Sequence, residues 1–162
     1  MTITVGDTLP DANLAKLGES GPEQVSMSET LKGRKVVIFA VPGAFTPTCQ
    51  SAHVPSFMKV KDDLVAKGVD EVICVSVNDP WVMEAFGRET GAAGAGITML
   101  ADGAGEFTKA IGMNFDAPPV GFIGRSQRYA MLAEDGVVKV LHVEESPGTC
   151  EISGGEAMLA EI

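Results

Sequence analysis

The chain has few cysteines and no long hydrophobic run, and each shortage excludes a class of protein. Its three cysteines among 162 residues form no Cys-x-x-Cys pair, which argues against a disulfide framework and against a thioredoxin-type dithiol. No apolar stretch approaches the length that crosses a membrane. Residues 1–7 lack the basic and apolar regions of a secretory signal. We therefore expect a cytoplasmic protein that keeps its thiols for chemistry.

Positive charge is also scarce. The chain has 22 Asp and Glu residues against 12 Lys and Arg residues, which gives a net charge of −10 at pH 7. Phosphate backbones and anionic membranes require a basic surface, so we expect no nucleic-acid partner and no membrane partner. The length of 162 residues and the 45% hydrophobic content predict a single domain over residues 1–162.

The stretch 36–49, V-V-I-F-A-V-P-G-A-F-T-P-T-C, is the most informative part of the chain. Its first six residues are apolar and mostly β-branched, which predicts a buried central strand over 36–41. Thr46 is a suitable N-cap and Pro47 a suitable first helical residue, so we expect a helix to begin here. Cys49 then lies in the first turn, where free N–H groups and the positive end of the helix dipole favour a thiolate. The pattern predicts a reactive cysteine.

Hydrophobic periodicity predicts alternating strands and helices along the chain. In the first half of the chain, the expected elements are strands at 12–17 and 24–27, a helical turn capped by Ser28, the strand 36–41, a helix to about 67 that Pro55 interrupts, and a strand at 71–77. In the second half, they are a helix at 80–90, a strand at 97–101, a helix at 106–111, a connection at 116–124, a hairpin of 127–133 with 137–143, and a helix from a Ser153 cap to 160. Such alternation implies a parallel sheet covered on both faces. The best match is a thioredoxin-like α/β fold, a mixed central sheet flanked by helices, with an N-terminal strand extension.

Several segments of the sequence resemble those of the peroxiredoxin family. The segment P-G-A-F-T-P-T-C at 42–49 carries the resemblance, and its Gly-Ala-Phe variant is similar to the type II, or peroxiredoxin-5, subfamily. Further similar segments follow in order at 53–55, 76–83, 101–108 and 125–131. The resemblance extends from about residue 5 to the C-terminus.

The resemblance implies a thiol-dependent peroxidase that reduces hydrogen peroxide and alkyl hydroperoxides through a sulfenic acid on Cys49, the peroxidatic cysteine. Thr46 would orient the thiolate and the bound peroxide, and Pro42 would shield the site from water. Arg128 would reach Cys49 through space, and Arg125 is the weaker candidate for that arginine.

The sulfenic acid must then be reduced by a second thiol, and no bound cofactor is expected. Cys150 follows S-P-G-T in a predicted exposed loop, where some relatives carry a resolving cysteine. Cys74 lies in an apolar strand and is either an inert core residue or a second candidate. We expect recycling by glutathione with glutaredoxin. The alternative is thioredoxin, acting on a Cys49–Cys150 disulfide.

Two other functions compete with the peroxidase. A thioredoxin-like disulfide reductase or isomerase is disfavoured by the lack of a Cys-x-x-Cys pair. A non-catalytic redox sensor or chaperone would use Cys49 oxidation as a switch. His53 lies four residues after Cys49 but has no partners at metal-ligand spacing, so we expect no metal and a hydrogen bond near the active-site helix.

An apolar cluster lies on the predicted helix 80–90. Its members are Trp81, Val82, Met83, Ala85 and Phe86. Core packing is expected for most of them, and Trp81 and Phe86 are the candidates for partial exposure at a dimer interface. The resemblance implies a homodimer built near the active-site ends of the subunits, with Phe45 close to the interface.

Overall fold

A seven-stranded sheet forms the centre of the computed structural model, which describes residues 2–162 apart from the side chain of Cys49. The strands of the chain are β1 (Asn13–Gly18), β2 (Gly21–Ser26), β3 (Lys35–Ala40), β4 (Glu71–Ser76), β5 (Thr98–Ala101), β6 (Asn114–Ala117), β7 (Phe122–Ser126), β8 (Tyr129–Glu134) and β9 (Val137–Val143). The order across the main sheet is β2-β1-β5-β4-β3-β8-β9. Strands β3, β4 and β5 are parallel neighbours, and the other adjacent pairs are antiparallel. The mixed sheet predicted from the sequence is confirmed.

Strand β3 lies inside this sheet with both faces covered. Val37 and Phe39 belong to one buried hydrophobic cluster, whereas Val36, Ile38 and Ala40 belong to the other. Successive side chains of a strand point to opposite faces, so a strand buried on both faces requires an unbroken apolar run. The carboxyl end of β3 leads directly into the turn that precedes Cys49.

Helices cover both faces of the sheet. They are α1 (Met27–Leu31), α2 (Val54–Ala66), α3 (Pro80–Thr90), α4 (Glu106–Ala110) and α5 (Gly155–Ala160). Asp79 caps α3, because its Oδ1 accepts a hydrogen bond from the Val82 N–H at 2.8 Å. Within residues 2–162, no helix is both long and apolar enough to cross a membrane.

Two of the predicted helix caps are wrong. Ser26, rather than Ser28, caps α1, since helix α1 begins at Met27 and the Ser26 side chain accepts a first-turn N–H. Helix α5 follows Gly154 without a side-chain cap. The Ser153 hydroxyl donates instead to the Glu144 carboxylate at 2.6 Å, so a tertiary contact replaces the expected cap.

The helix that carries Cys49 is not a regular α-helix at its start. A π-helical turn occupies Cys49–His53, and α2 follows from Val54. Pro55 lies in the first turn of α2 and has no N–H to donate to a carbonyl of the preceding turn. The regular hydrogen-bond pattern therefore stops before it, and the predicted interruption at Pro55 is confirmed.

The connection predicted over 116–124 contains regular structure, so the prediction of a plain connection is wrong. Strands β6 and β7 pair antiparallel in a small sheet of their own, joined by a 3₁₀ turn over Pro118–Val120. Most residues of both strands are exposed or only partly buried. Such strands carry no unbroken apolar run, which explains why the sequence pattern does not indicate them.

Candidate active site

A pocket of about 460 Å³ lies beside the carboxyl end of β3. Three of the four residues predicted to be catalytic line it, namely Pro42, Thr46 and Arg128. The remaining lining residues are Pro47, Thr48, Phe115, Ala117, Val120, Phe122, Pro147 and Gly148. Cys49 follows Thr48 along the backbone, and its side chain lies outside the described residues. The fold therefore brings Arg128 to Pro42 and Thr46, which lie more than 80 residues earlier in the sequence.

Hydrogen bonds fix the turn between β3 and the helix. The Thr46 hydroxyl donates to the Gly43 carbonyl at 2.7 Å, and the Ala44 N–H donates to Asn78 Oδ1 at 3.1 Å. Phe45 between them has a φ of 66°, a left-handed conformation that is unfavourable for an aromatic residue. The Asn78 bond holds this turn in place, and Thr46 is held at the pocket wall. The N-cap role of Thr46 stays a prediction.

Arg128 is buried, with 1% of its surface exposed, although it carries a permanent charge. Its Nη1 donates to His53 Nδ1 at 3.0 Å, and its Nε donates to the Pro147 carbonyl at 3.1 Å. An arginine can only donate, so His53 Nδ1 must accept and the imidazole proton lies on Nε2. That Nε2–H donates to the Ser153 carbonyl at 2.9 Å. The predicted contact between Arg128 and Cys49 stays a prediction.

His53 is held in its neutral form. Burial, together with the adjacent positive charge of Arg128, lowers the pKa of His53 from 6.5 to about 3. The hydrogen bond that the sequence predicts for His53 is confirmed by its contact with Arg128. Across the described part of the chain, no three His, Cys, Asp or Glu side chains are grouped to hold a metal ion.

Arg125 reaches the same region from strand β7. Its Nη1 donates to the carbonyl of Pro42 at 3.2 Å, and its guanidinium lies 5.0 Å from the centre of the Phe122 ring. Pro42 is buried. Arg125 therefore anchors the turn after β3 from the side of the small sheet, whereas Arg128 lines the pocket.

The two remaining cysteines have different surroundings. Cys74 is fully buried in β4, paired with Phe39 and Met99 of the neighbouring strands. Cys150 is half-buried, and the Ser153 hydroxyl lies 4.0 Å from its sulfur. Burial raises the pKa of the Cys150 thiol, which keeps it protonated near neutral pH.

Several residues that build the site are missing from the sequence predictions. Asn78 follows strand β4, beside the end of β3, where side chains after parallel strands converge, so its position could have indicated a role. Phe115, Val120 and Phe122 form a pocket wall from the unpredicted small sheet. Glu144 organises the loop around Cys150, and no local pattern marks it.

The fold and the site define an oxidoreductase of thioredoxin-like fold whose chemistry depends on a cysteine. The Redoxin family model matches residues 4–159. Over 165 residues the chain is 49% identical to peroxiredoxin-2E-2, chloroplastic, from Oryza sativa subsp. japonica, and the match covers 99% of this chain and 73% of that relative. The chain belongs to the peroxiredoxin family.

Solved structures agree with this assignment. Reduced Prx3 from Vibrio vulnificus in complex with H₂O₂ is 48% identical, has a TM-score of 0.92, and covers 99% of both chains. Peroxiredoxin 5 from Alvinella pompejana is 34% identical with a TM-score of 0.84, covering 98% of this chain and 96% of that one. The thioredoxin-like fold and the peroxiredoxin-5 relationship are confirmed, and the protein is a thiol-dependent peroxidase.

Acidification is expected to destabilise the protein through His53. The unfolded chain binds a proton at this residue near pH 6.5, whereas the folded protein does so only near its pKa of about 3. The unfolded state therefore binds more protons between these values, and stability falls as the pH decreases. The free energy of unfolding should drop by up to about 1.4 kcal/mol per pH unit below about pH 6.5. Urea unfolding between about pH 7.5 and 5.5 measures this slope before the carboxylates titrate.

Two variants test whether His53 causes this pH dependence of the free energy of unfolding. His142→Gln removes the other histidine of the chain and should retain the slope. His53→Asn should flatten it while lowering stability at neutral pH. A slope that persists in His53→Asn would show that another group takes up the proton.

Proposed function

We propose that Cys49 is the peroxidatic cysteine and that Thr46, Arg128 and Pro42 form its catalytic surroundings. The Cys49 thiolate attacks one peroxide oxygen, so that an S–O bond forms as the O–O bond breaks. The sulfur is oxidised by two electrons, and the other oxygen leaves, takes a proton and departs as water or an alcohol. Cys49 is left as a sulfenic acid.

The observation that carries this proposal is the convergence of Pro42, Thr46 and Arg128 on one pocket at the start of the Cys49 helix. Arg128 supplies a permanent charge in a fixed orientation, suited to stabilise the negative charge on the leaving oxygen. The fixed Thr46 hydroxyl is suited to orient the peroxide, and Pro42 contributes apolar surface that excludes water. The related Vibrio vulnificus Prx3 was solved with H₂O₂, which supports a peroxide as the ligand here.

The pocket wall supports organic hydroperoxides as substrates besides hydrogen peroxide. Its volume of about 460 Å³ is far more than a single water-sized molecule requires. Phe115, Val120 and Phe122 line the side formed by the small sheet. An apolar substituent on the peroxide would be removed from water against these residues.

Replacement of Val120 is expected to change the choice of peroxide. Val120→Ser should lower kcat/KM for cumene hydroperoxide by about threefold and leave kcat/KM for hydrogen peroxide unchanged, because only the organic substituent contacts this wall. The matched control is Ile123→Ser, since Ile123 is 66% exposed, Val120 is 67% exposed, and Ile123 does not line the pocket. Equal losses with both peroxides, or equal effects of the two variants, would contradict this role of the wall.

We further propose that an external thiol, glutathione with glutaredoxin, reduces the sulfenic acid. Cys150 is half-buried and protonated, so it is a weak nucleophile, and Cys74 is fully buried. Thioredoxin acting on a Cys49–Cys150 disulfide is the second candidate, because the loop before Cys150 reaches the pocket through Pro147 and Gly148. A cytoplasmic location would suit this chemistry and stays a prediction, as does the absence of a bound cofactor.

Intact mass after one equivalent of peroxide tests both the site and the reductant. We expect a gain of about 16 Da for the sulfenic acid, followed by a glutathione adduct when glutathione is added. The Cys150→Ser variant should behave in the same way, and Cys49→Ser should show neither change. A loss of about 2 Da that disappears in Cys150→Ser would favour the internal disulfide. Peroxide-dependent thiol oxidation that survives in Cys49→Ser would overturn the assigned site.

We also propose that the protein forms a homodimer through the surface around Trp81 and Phe45. Trp81 is 58% exposed and Phe45 is 44% exposed, so an interface here would remove two large aromatic side chains from water. Phe86 is fully buried, so its predicted place at a dimer interface is wrong. Its ring instead packs edge-on against the Phe45 ring, with the ring centres 5.2 Å apart.

A charge placed on this surface is expected to break the dimer. Trp81→Glu should shift the sedimentation coefficient from dimer to monomer at micromolar concentration, because an unpaired carboxylate would have to be buried. Val65→Glu places the same charge at an apolar residue of α2 that is 44% exposed, and should leave the dimer intact. A wild-type monomer at every concentration would contradict the proposal.

A further inference from the structure

Glu144 is a buried carboxylate that the proposed chemistry does not use. Only 6% of its surface is exposed, and it follows the last strand of the main sheet. Its Oε2 accepts hydrogen bonds from the N–H groups of Glu151 (2.9 Å), Ile152 (2.9 Å) and Ser153 (2.6 Å), and from the Ser153 hydroxyl (2.6 Å). Its Oε1 lies 3.5 Å from the Thr149 hydroxyl, which donates to the Ser146 carbonyl at 3.0 Å. One carboxylate thus holds the last three residues of the 145–153 loop.

This loop carries the carbonyl groups that hold the buried arginine. The Pro147 carbonyl accepts from Arg128 Nε, and the Ser153 carbonyl accepts from His53, whose Nδ1 accepts from Arg128 Nη1. The Glu144 N–H donates to the backbone carbonyl of Arg128 at 3.0 Å. Arg128, His53, Ser153 and Glu144 therefore form a closed ring of hydrogen bonds.

We propose that Glu144 is a positioning residue for the peroxidase reaction, because its carboxylate holds the 145–153 loop in the conformation that directs the guanidinium of Arg128 into the pocket. This inference rests on the catalytic role proposed above for Arg128. Both carbonyl groups that orient Arg128 and His53 belong to a loop with no regular secondary structure. Without the carboxylate, several N–H groups of the loop would lose their acceptor and the loop would rearrange.

The chemistry of the ring explains why a carboxylate is suited to this position. Three consecutive backbone N–H groups that converge on one point form an anion-binding concavity, and an ionised oxygen accepts stronger hydrogen bonds than a neutral one. Burial alone would raise the pKa of Glu144, but the bonds from Ser153, Ile152 and Glu151 lower it, so the group is ionised at neutral pH. Its negative charge also partly balances the buried charge of Arg128.

Three variants at adjacent positions separate this role from a simple loss of charge. Glu144→Ala removes every acceptor, whereas Glu144→Gln keeps the shape and one oxygen for the N–H groups. Glu145→Ala removes the same charge from the next residue, which is exposed. The measured quantity is the second-order rate constant for peroxide oxidation of Cys49 in a single turnover without reductant, so that recycling does not contribute.

We expect Glu144→Ala to lower this rate constant by about tenfold to a hundredfold, as a misplaced catalytic group does. Glu144→Gln should lose no more than about threefold, because the hydrogen bonds weaken but remain. Glu145→Ala should match the wild type. A Glu144→Ala protein whose Cys49 is oxidised at the wild-type rate would overturn the inference.

Coupling to Arg128 distinguishes positioning from general stabilisation. If Glu144 acts through Arg128, then Glu144→Ala should lower the rate of an Arg128→Lys protein by less than about twofold, since the group it positions is already gone. Losses that multiply in the double variant would show an independent, structural role. An Arg128→Lys protein with the wild-type rate would instead contradict the proposed role of Arg128 itself.

If Glu144→Ala does not fold, Ser153→Ala provides a second variant for the same test. It removes one of the four bonds to Oε2 and leaves the backbone bond in place. We expect a loss of about threefold that disappears in the Arg128→Lys background, as for Glu144. An equal loss in both backgrounds would count against the inference.

Discussion

The burial of the Arg128 guanidinium is the constraint on which the rest of the site depends. Its charge cannot be removed by loss of a proton, and an ion withdrawn from water costs several kcal/mol unless acceptors surround it. The neutral Nδ1 of His53 and the Pro147 carbonyl are two such acceptors. Because Nδ1 must accept, the His53 proton lies on Nε2, and that proton needs the Ser153 carbonyl. One buried charge thereby determines the tautomer of a histidine and the path of a distant loop.

The π-helical turn is the local feature that lets His53 take part. A π-turn accommodates one more residue than a regular helical turn, so it rotates the residues that follow relative to those before it. His53 is the last residue of this turn, two positions before Pro55. The proline that prevents a regular helix therefore helps to direct His53 toward Arg128 and away from solvent. Pro55, which the sequence pattern marks as an interruption of the helix, therefore also contributes to the geometry of the site.

Structural features that depend on neighbouring residues could be predicted from the sequence, whereas contacts between residues distant in sequence could not. Strand β3 and the interruption of the helix at Pro55 depend on neighbouring residues and were predicted. The predicted Ser153 cap is wrong, because the Ser153 hydroxyl donates to Glu144, a tertiary acceptor that a local rule does not include. The residues that line one side of the pocket, such as Phe115 and Phe122, lie on short and partly exposed strands without a clear period. The roles predicted for Pro42, Thr46 and Arg128 rest on the resemblance to the peroxiredoxin family, and only the folded structure shows the pocket that the three residues share.

The loop that holds Arg128 is also the loop that carries Cys150. A movement of Cys150 to form an internal disulfide would therefore also affect the contacts that orient Arg128. Glu151 and Ile152, the two residues after Cys150, donate their N–H groups to the Glu144 carboxylate. Drawing Cys150 from this loop to another part of the molecule would strain or break those bonds, and with them the hold on Pro147 and Ser153. A displacement of Cys150 large enough to break these bonds would also disturb the Pro147 and Ser153 carbonyl groups that hold Arg128 and His53. A small external thiol that comes to Cys49 leaves the ring intact, which is a physical reason to favour glutathione over Cys150 as the resolving thiol.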